Sequence, residues 1–250
     1  MLSQNRFGRF NFGKALLLGG VCTAILTGCN QSAQDDGSTD AAATGDATTA
    51  IKTVAITAIV EHPALDDVRK GVIDELNEAG FKDGENLTVN FQSAQGNTAT
   101  AGQIAKQFVA DAPDVIVAIA TPSAQSVAAS TSSIPLVFSA VTDPVAAKLV
   151  PKLDGSGTNV TGASDALPYE PQIDLMRQII PSLKNVGYVY SPGEVNSTII
   201  LKNLKEKLTP LGINVLEAPA QRSNDIAMAA RSLEGKVDMI YTSTDNNVVS

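Results

Sequence analysis

Residues 53–60 read TVAITAIV, a short and largely apolar run rich in β-branched residues. Such a run is typical of a strand that is buried on both faces of a sheet. The following residues, 64–79, form an amphipathic pattern that ends before Gly80 and predicts a helix. Further strands are predicted at 87–91, 115–120 and 136–139, and further helices at 98–110 and from Pro122. This alternation predicts a parallel sheet covered by helices on both faces, which is an α/β fold.

The same order of elements begins again in the second half of the chain. Helices and strands alternate there at 171–180, 186–190, 196–211, 213–216, 225–233 and 237–242. The matching positions are Val54 with Val186, Gly80 with Gly212 at the same offset, and the run 114–121 with the run 238–245. The regular alternation of strands and helices in any α/β fold could also produce these matches, but the shared element lengths favour two similar lobes. We expect an N-terminal lobe over residues 51–165 and an incomplete C-terminal lobe over residues 166–250.

A further helix is expected to begin near Asn246, so that Ser250 falls inside it. A second lobe with three predicted strands is also small beside the first. Both features indicate a C-terminally truncated piece of a longer protein.

The first 28 residues have the layout of a signal peptide. Residues 1–14 carry three basic side chains and no acidic one, and the apolar run ALLLGGVCTAIL follows at 15–26. That run is shorter than the roughly 20 residues that a membrane-spanning helix needs. It ends in LTGC at 26–29, which resembles a lipobox, the recognition sequence of bacterial lipoproteins. By this resemblance Cys29 is diacylated, with chains such as palmitate, and begins the mature chain; the alternative is a plain secretory signal with an incidental cysteine.

Residues 29–50 are predicted to form a flexible tether, because the run after Cys29 is polar, acidic and free of large apolar side chains. A lipid anchor with such a tether would hold a folded domain outside the cytoplasm, next to a bacterial membrane but not embedded in it.

Charge and composition exclude several classes of function. The formal net charge is -8, so a nucleic-acid partner is not expected, because phosphate contacts need clustered Lys and Arg. The two cysteines, Cys22 and Cys29, both lie in the N-terminal segment, which leaves the body without a disulfide or a cysteine metal site. The single histidine, His62, cannot build a His-based metal centre, and the glycines follow no dinucleotide or P-loop spacing. We therefore expect no metal and no cofactor.

Mostly polar loops follow the predicted strands, at the carboxyl ends where open parallel sheets bind ligands. They lie at 61–63, 93–97, 121–124, 139–144, 191–197, 218–220 and 242–247. Each Ser, Thr, Asn or Asp in them is, by itself, more simply explained as a helix cap or turn former. Taken together, several helix N-termini at one cleft would bind a carboxylate, and Asp143, Glu194 or Asp245 would meet an ammonium group. The loops therefore suit an amino acid zwitterion.

Six motifs occur in order along the body of the chain: EHPALD at 61–66, ATPSAQ at 120–125, VTDP at 141–144, NVTG at 159–162, SPGEVNS at 191–197 and TDN at 244–246. Together they resemble the substrate-binding proteins of ABC transporters, in the tryptophan/tyrosine-binding group with the type I periplasmic-binding-protein fold. The resemblance covers about residues 51–250, although the sequence ends before roughly the last quarter of the family pattern.

This resemblance implies two Rossmann-like lobes joined by a hinge, which close around an amino acid that is often aromatic. The protein would not be an enzyme, and would pass its small-molecule ligand to an ABC permease driven by a separate ATPase subunit. The ligand-binding residues that the resemblance implies are His62, Thr121, Ser123, Ala124, Asp143, Asn196, Ser197, Asp245 and Asn246. For His62 the position of an ordinary polar loop residue stays open.

Two other functions stay open at this point. The same fold could serve as a ligand-sensing module for a signalling partner, since fold alone does not decide function. An exported hydrolase would need a nucleophile and a base; His62 is the obvious base, and the sequence has no G-x-S-x-G elbow.

Overall fold

The computed structural model describes residues 50–250. The predicted signal peptide at 1–28, the predicted lipidation site Cys29 and all of the predicted tether except Ala50 lie outside the described residues. Within residues 50–250, no helix is both long enough and apolar enough to span a bilayer.

The first lobe is built on a parallel sheet that has five strands within the described residues. The strands are β1 (Lys52–Ala58), β2 (Leu87–Ser93), β3 (Val115–Ile119), β4 (Leu136–Val141) and β5 (Val160–Ser164), in the spatial order β2-β1-β3-β4-β5. The helices of this lobe are α1 (Pro63–Glu78), α2 (Thr98–Asp111) and α3 (Thr121–Ala128). Val54 and Ile56 of β1 pack towards α1, whereas Ala55 packs with α2 and α3. Both faces of β1 are therefore buried, as its apolar sequence predicts.

The second lobe is built on a parallel sheet of three strands in the described part of the chain. They are β6 (Asn185–Tyr190), β7 (Asn214–Pro219) and β8 (Met239–Tyr241), in the order β7-β6-β8, and the helices are α4 (Tyr169–Ile179), α5 (Val195–Leu208) and α6 (Ile226–Arg231). Short 3-10 helices lie at Thr209–Leu211 and Ser223–Asp225. Tyr188 packs against α4 and α5 and Val189 packs on the α6 side, so this sheet is also covered on both faces.

The two lobes share a β-α-β-α-β core, which confirms the predicted internal repeat. β1 lies between β2 and β3 just as β6 lies between β7 and β8. Val54 and Val186 occupy matching positions, each flanked by parallel strands on both sides. Gly80 and Gly212 both follow a helix and have left-handed φ angles of 87° and 73°, a conformation that glycine adopts without steric cost.

An aspartate just before the third strand of each core joins that strand to the first one. The carboxylate of Asp114 accepts hydrogen bonds from the N–H of Thr53 at 2.8 Å and from its hydroxyl at 3.1 Å. It also forms an ion pair with Lys52 at 2.8 Å. In the second lobe, Asp238 accepts a hydrogen bond from the N–H of Asn185 at 2.8 Å. The repeat thus extends from topology to individual hydrogen bonds.

β5 is absent from the sequence-based prediction. Residues 159–162 are predicted only to lead into the connection between the lobes, because VTGAS at 160–164 has no continuous apolar run. In the structure Val160 instead pairs with Leu136 of β4 in an added edge strand. Gly162 permits this pairing, since a Cβ there would lie 2.1 Å from the carbonyl oxygen of Phe138.

The helix predicted from Asn246 is also wrong. Residues near the end of the described chain form a turn, in which the carboxylate of Asp245 accepts hydrogen bonds from the N–H groups of Asn247 and Val248. A capping aspartate is present, but it closes a turn rather than starting a helix. The predicted limits of the lobes, 51–165 and 166–250, stay a prediction.

Asp114→Asn is expected to remove a pH-dependent part of the stability. The hydrogen bond from Lys52, followed by that from the N–H of Thr53, lowers the pKa of Asp114 from 3.8 to about 2. A carboxylate with a depressed folded-state pKa stabilises the fold above its unfolded pKa and loses this contribution as the pH falls through the folded value. The wild type should therefore melt at a higher temperature than Asp114→Asn at neutral pH, and the difference should vanish as the pH falls from 3.8 to about 2.

Differential scanning fluorimetry across this pH range measures the effect. Asp154→Asn is the control, because the Asp154 side chain is 88% exposed and lies 3.8 Å from Lys152. A melting-temperature difference for Asp114→Asn that stays constant down to low pH would contradict the assignment.

Candidate ligand-binding cleft

A cleft of about 390 Å³ lies between the two lobes, at the carboxyl ends of their strands. The residues that line it are Val60, His62, Ala64, Leu65, Val68, Ala140, Asp165, Ser243, Thr244, Asn246 and Val249. Six of these eleven are aliphatic, and the polar ones come from loops that follow β1, β5 and β8. A mostly apolar wall with a few polar groups is the usual lining of a small-molecule site.

A wider groove of about 580 Å³ runs between α1 and the first sheet. Its walls are almost entirely aliphatic, with Val72, Leu76 and Val137 among them. Because its lining includes none of the predicted ligand-binding residues, the smaller cleft between the lobes is the candidate site.

Asp245 is the centre of a buried polar cluster in the second lobe. It is fully buried, and its Oδ2 accepts hydrogen bonds from the N–H of Ser191 and the hydroxyl of Ser197, both at 2.6 Å. Its Oδ1 accepts hydrogen bonds from the Ser191 hydroxyl at 2.8 Å and from the N–H groups of Asn247 at 3.1 Å and Val248 at 3.0 Å. These donors hold the loops after β6 and β8 together through one carboxylate.

Glu194, the N-cap residue of α5, lies in the same cluster. Its Oε2 accepts hydrogen bonds from the side-chain amide of Asn246 at 2.7 Å, from the N–H of Asn246 at 3.1 Å and from the side-chain amide of Asn196 at 3.0 Å. Burial, and then the nearby Asp245 carboxylate, raises the pKa of Glu194. Glu194 and Asp245, two of the predicted partners for an ammonium group, thus already receive protein donors.

Three buried polar atoms in the first turns of α3 and α5 have no hydrogen-bond partner among the described residues. They are Oγ1 of Thr121, Oγ of Ser123 and Oδ1 of Asn196. A buried polar atom without a partner costs free energy, roughly 1–3 kcal/mol, so such atoms in a native fold call for an explanation. A ligand that supplies the missing partners is one.

α3 and α5 belong to different lobes and contact each other, and Val195 at the start of α5 packs against the core of the first lobe. Within the described residues, neither helix has a side-chain hydrogen bond that caps its N-terminus. Ala120, directly before α3, has a φ of 74°, which is a strained conformation for alanine and typical of functional sites. Because helix N-termini carry partial positive charge and free N–H groups, this junction can bind an anion such as a carboxylate.

The other predicted site residues also have structural roles. His62 lines the cleft, and its Nδ1 accepts a hydrogen bond from the N–H of Ala64 at 3.2 Å as the N-cap of α1. The carboxylate of Asp143 accepts a hydrogen bond from the N–H of Val145 at 3.1 Å and so closes a turn. Ala124 is fully buried in the core of the first lobe.

The structure therefore divides the predicted residues into three groups. His62 and Asn246 line the cleft. Thr121, Ser123, Asn196, Ser197 and Asp245 are buried polar residues in the loops and helix starts that follow the strands. Ala124 and Asp143 lie in the core and in a turn.

Several cleft residues are missed by the sequence analysis. Asp165 follows β5, the strand that the sequence pattern does not reveal. Ala140 interrupts the regular pairing of β4 with a φ of 53°, and nothing in the sequence signals this conformation. Thr244 belongs to a loop that the sequence predicts, but its hydroxyl forms a hydrogen bond of 3.1 Å with the hydroxyl of Thr142 in the other lobe. Such contacts between distant segments have no local sequence signal.

Residues 53–250 match the family of ABC transporter substrate binding proteins. The chain is 39% identical over 237 residues to a tyrosine-binding protein of Clostridioides difficile (strain R20291), in a match that covers 94% of this chain and 68% of that protein.

Two solved structures from related proteins share the fold. An ABC domain in complex with L-Trp, from Streptococcus pneumonia, is 34% identical with a TM-score of 0.76, over 79% of this chain and 67% of that chain. The ligand-free, open structure of a substrate binding protein with adhesive properties, from Clostridium difficile, is 43% identical with a TM-score of 0.57, over the same shares of the two chains. These similarities confirm the predicted fold class.

Asp245→Ala is expected to lower the free energy of unfolding by about 3 kcal/mol or more, because it leaves several buried donors without their acceptor. Asp143→Ala, which removes an acceptor at a turn, is expected to cost only about 1 kcal/mol. Urea unfolding followed by circular dichroism measures both variants. Equal losses for the two variants would contradict the central position of Asp245 in the buried cluster.

Proposed function

The chain belongs to the family of ABC transporter substrate-binding proteins, and we propose that it captures an aromatic amino acid between its two lobes for import. The family consists of substrate-binding proteins and not of enzymes, which excludes the hypothesis of an exported hydrolase. The observation that carries the proposal is the pair of buried hydroxyls, Thr121 Oγ1 and Ser123 Oγ in the first turn of α3, that have no partner among the described residues.

The α-carboxylate of the amino acid would bind at this junction. Thr121 and Ser123 would donate their hydroxyl protons to it, together with the free N–H groups of the first turns of α3 and α5. Both helix N-termini carry partial positive charge, which compensates for the charge of a carboxylate in a buried place. The hydroxyls would then gain partners that, among residues 50–250, the protein does not provide.

The side chain of the amino acid would occupy the 390 Å³ cleft. Leu65, Val68 and Val249 supply aliphatic wall on which a large apolar side chain would lose its contact with water. The curated relative is named a tyrosine-binding protein, and a related solved structure holds L-Trp. Both names support an aromatic amino acid as the ligand.

Closure of the lobes would trap the ligand. The hydrogen bond of 3.1 Å between the hydroxyls of Thr142 and Thr244 joins the two lobes beside the cleft. A ligand that contacts both lobes shifts the equilibrium towards such a closed form by its additional binding energy there.

The closed protein would deliver its ligand to an ABC permease with a separate ATPase subunit, outside the cytoplasm. Cys29 would carry the lipid that anchors the chain, and residues 29–50 would tether the lobes near the membrane. The sequence LTGC at 26–29 and the polar composition of the following segment support this anchoring.

Thr121→Val keeps the shape of the side chain and removes the unpartnered hydroxyl. Because that hydroxyl has no partner within the described chain, we expect the melting temperature of the ligand-free protein to stay the same or to rise. The affinity for L-tryptophan or L-tyrosine is expected to fall about tenfold, since a hydrogen bond to a charged group is lost. Isothermal titration calorimetry measures the change.

Ser126→Ala is the matched control. It removes a hydroxyl one turn further along α3, which donates to the carbonyl of Pro122 at 2.9 Å, and should leave the affinity unchanged. If Thr121→Val bound the amino acid as tightly as the wild type, the carboxylate would not lie at this junction.

A further inference from the structure

Asp165 stands apart from the other carboxylates near the cleft. It follows β5, where the chain leaves the first lobe, and it lines the cleft together with Ser243, Thr244 and Asn246 of the second lobe. Its Oδ1 is buried and has no hydrogen-bond partner among the described residues. A buried carboxylate oxygen without a donor is costly to the fold unless something else supplies the donor.

Within the described residues, the cleft lining does not balance the charge of Asp165. None of the eleven residues that line the cleft, all within the described range, is Lys or Arg. His62 is the one basic side chain among them, and its Nδ1 is already the acceptor that caps α1. The ion pairs found within residues 50–250 do not include Asp165.

The other acidic side chains around the site already receive protein hydrogen bonds. Asp245 receives five protein hydrogen bonds, and Oε2 of Glu194 receives three. Asp143 receives hydrogen bonds from two N–H groups in its own turn. Asp165 is thus the cleft-lining carboxylate that has a buried oxygen without a hydrogen-bond donor among the described residues. The sequence motifs do not point to it.

The environment of Asp165 also disfavours a bare negative charge. Burial raises the pKa of Asp165, and the hydrogen bonds from the Thr142 hydroxyl and from its own N–H offset this only in part. A cation beside the carboxylate would favour the ionised form, and the attraction between the two charges is stronger in a largely apolar cleft than in water.

We propose that Asp165 binds the ammonium group of the ligand and so makes the cleft select amino acids over acids of the same shape that lack the amine. This inference rests on the proposed function and adds a specificity-determining residue to it. The carboxylate of the ligand lies at the α3–α5 junction and its ammonium group lies at the end of β5, so the zwitterion is held by both lobes and by the segment that connects them.

The test compares two ligands with the same ring system and carboxylate. L-tryptophan carries the ammonium group, whereas indole-3-propionic acid lacks it. Isothermal titration calorimetry with the full-length wild type should show tighter binding of L-tryptophan. Asp165→Asn should weaken the binding of L-tryptophan about tenfold or more, because a charge-assisted hydrogen bond is lost, and should leave the affinity for indole-3-propionic acid unchanged.

Asp154→Asn is the control for the removal of one negative charge, because the Asp154 side chain is 88% exposed and lies in an ion pair outside the cleft lining. It should alter the affinity for neither ligand. Binding of indole-3-propionic acid also reports that the Asp165→Asn protein is folded. Asp165→Ser serves as a second variant, with the same expected pattern.

Two results would overturn the inference alone. Undiminished binding of L-tryptophan by Asp165→Asn would show that the ammonium group lies elsewhere, and an equal loss for both ligands would show that Asp165 shapes the cleft without selecting the amine. A wild-type protein that binds neither ligand nor L-tyrosine would instead overturn the proposed function, and this inference with it.

Discussion

Parallel pairing of every strand in both sheets is the constraint from which the site follows. In a parallel sheet all carboxyl ends lie at one edge, and the helix that follows a strand presents its N–H groups there. α3 follows β3 in the first lobe and α5 follows β6 in the second, and these two helices contact each other. The polar residues that line the cleft also follow the carboxyl ends of strands.

The internal repeat gives the two lobes equivalent positions with different chemistry. Thr121 follows β3 where Asp245 follows β8, and the strand registers place them in corresponding positions. Asp245 is saturated by protein donors and makes its side of the site rigid, whereas the hydroxyl of Thr121 is left without a partner among the described residues. At this pair of equivalent positions the second lobe thus has a carboxylate that protein donors satisfy, and the first lobe has a hydroxyl that is open to a ligand.

The sequence predicts the fold well because buried parallel strands are apolar runs, and Gly80 and Gly212 mark where helices end. It also predicts the polar loops at the carboxyl ends of the strands, because these loops directly follow the apolar runs. It does not reveal β5, an edge strand without an apolar run, and therefore misses Asp165 just beyond it. Nor can it separate Asp245, a saturated acceptor, from a ligand-binding carboxylate, because that difference depends on Ser191 and Ser197, which are far away in sequence.

Isothermal titration calorimetry of the full-length protein with L-tryptophan, L-tyrosine, L-leucine and D-glucose tests whether the lobes capture an aromatic amino acid. An aromatic amino acid should bind one-to-one, with a negative change in heat capacity because an apolar side chain is buried between the lobes. L-leucine should bind more weakly, and D-glucose should give no heat of binding. Binding of D-glucose with no response to either aromatic amino acid would contradict an aromatic amino acid as the ligand.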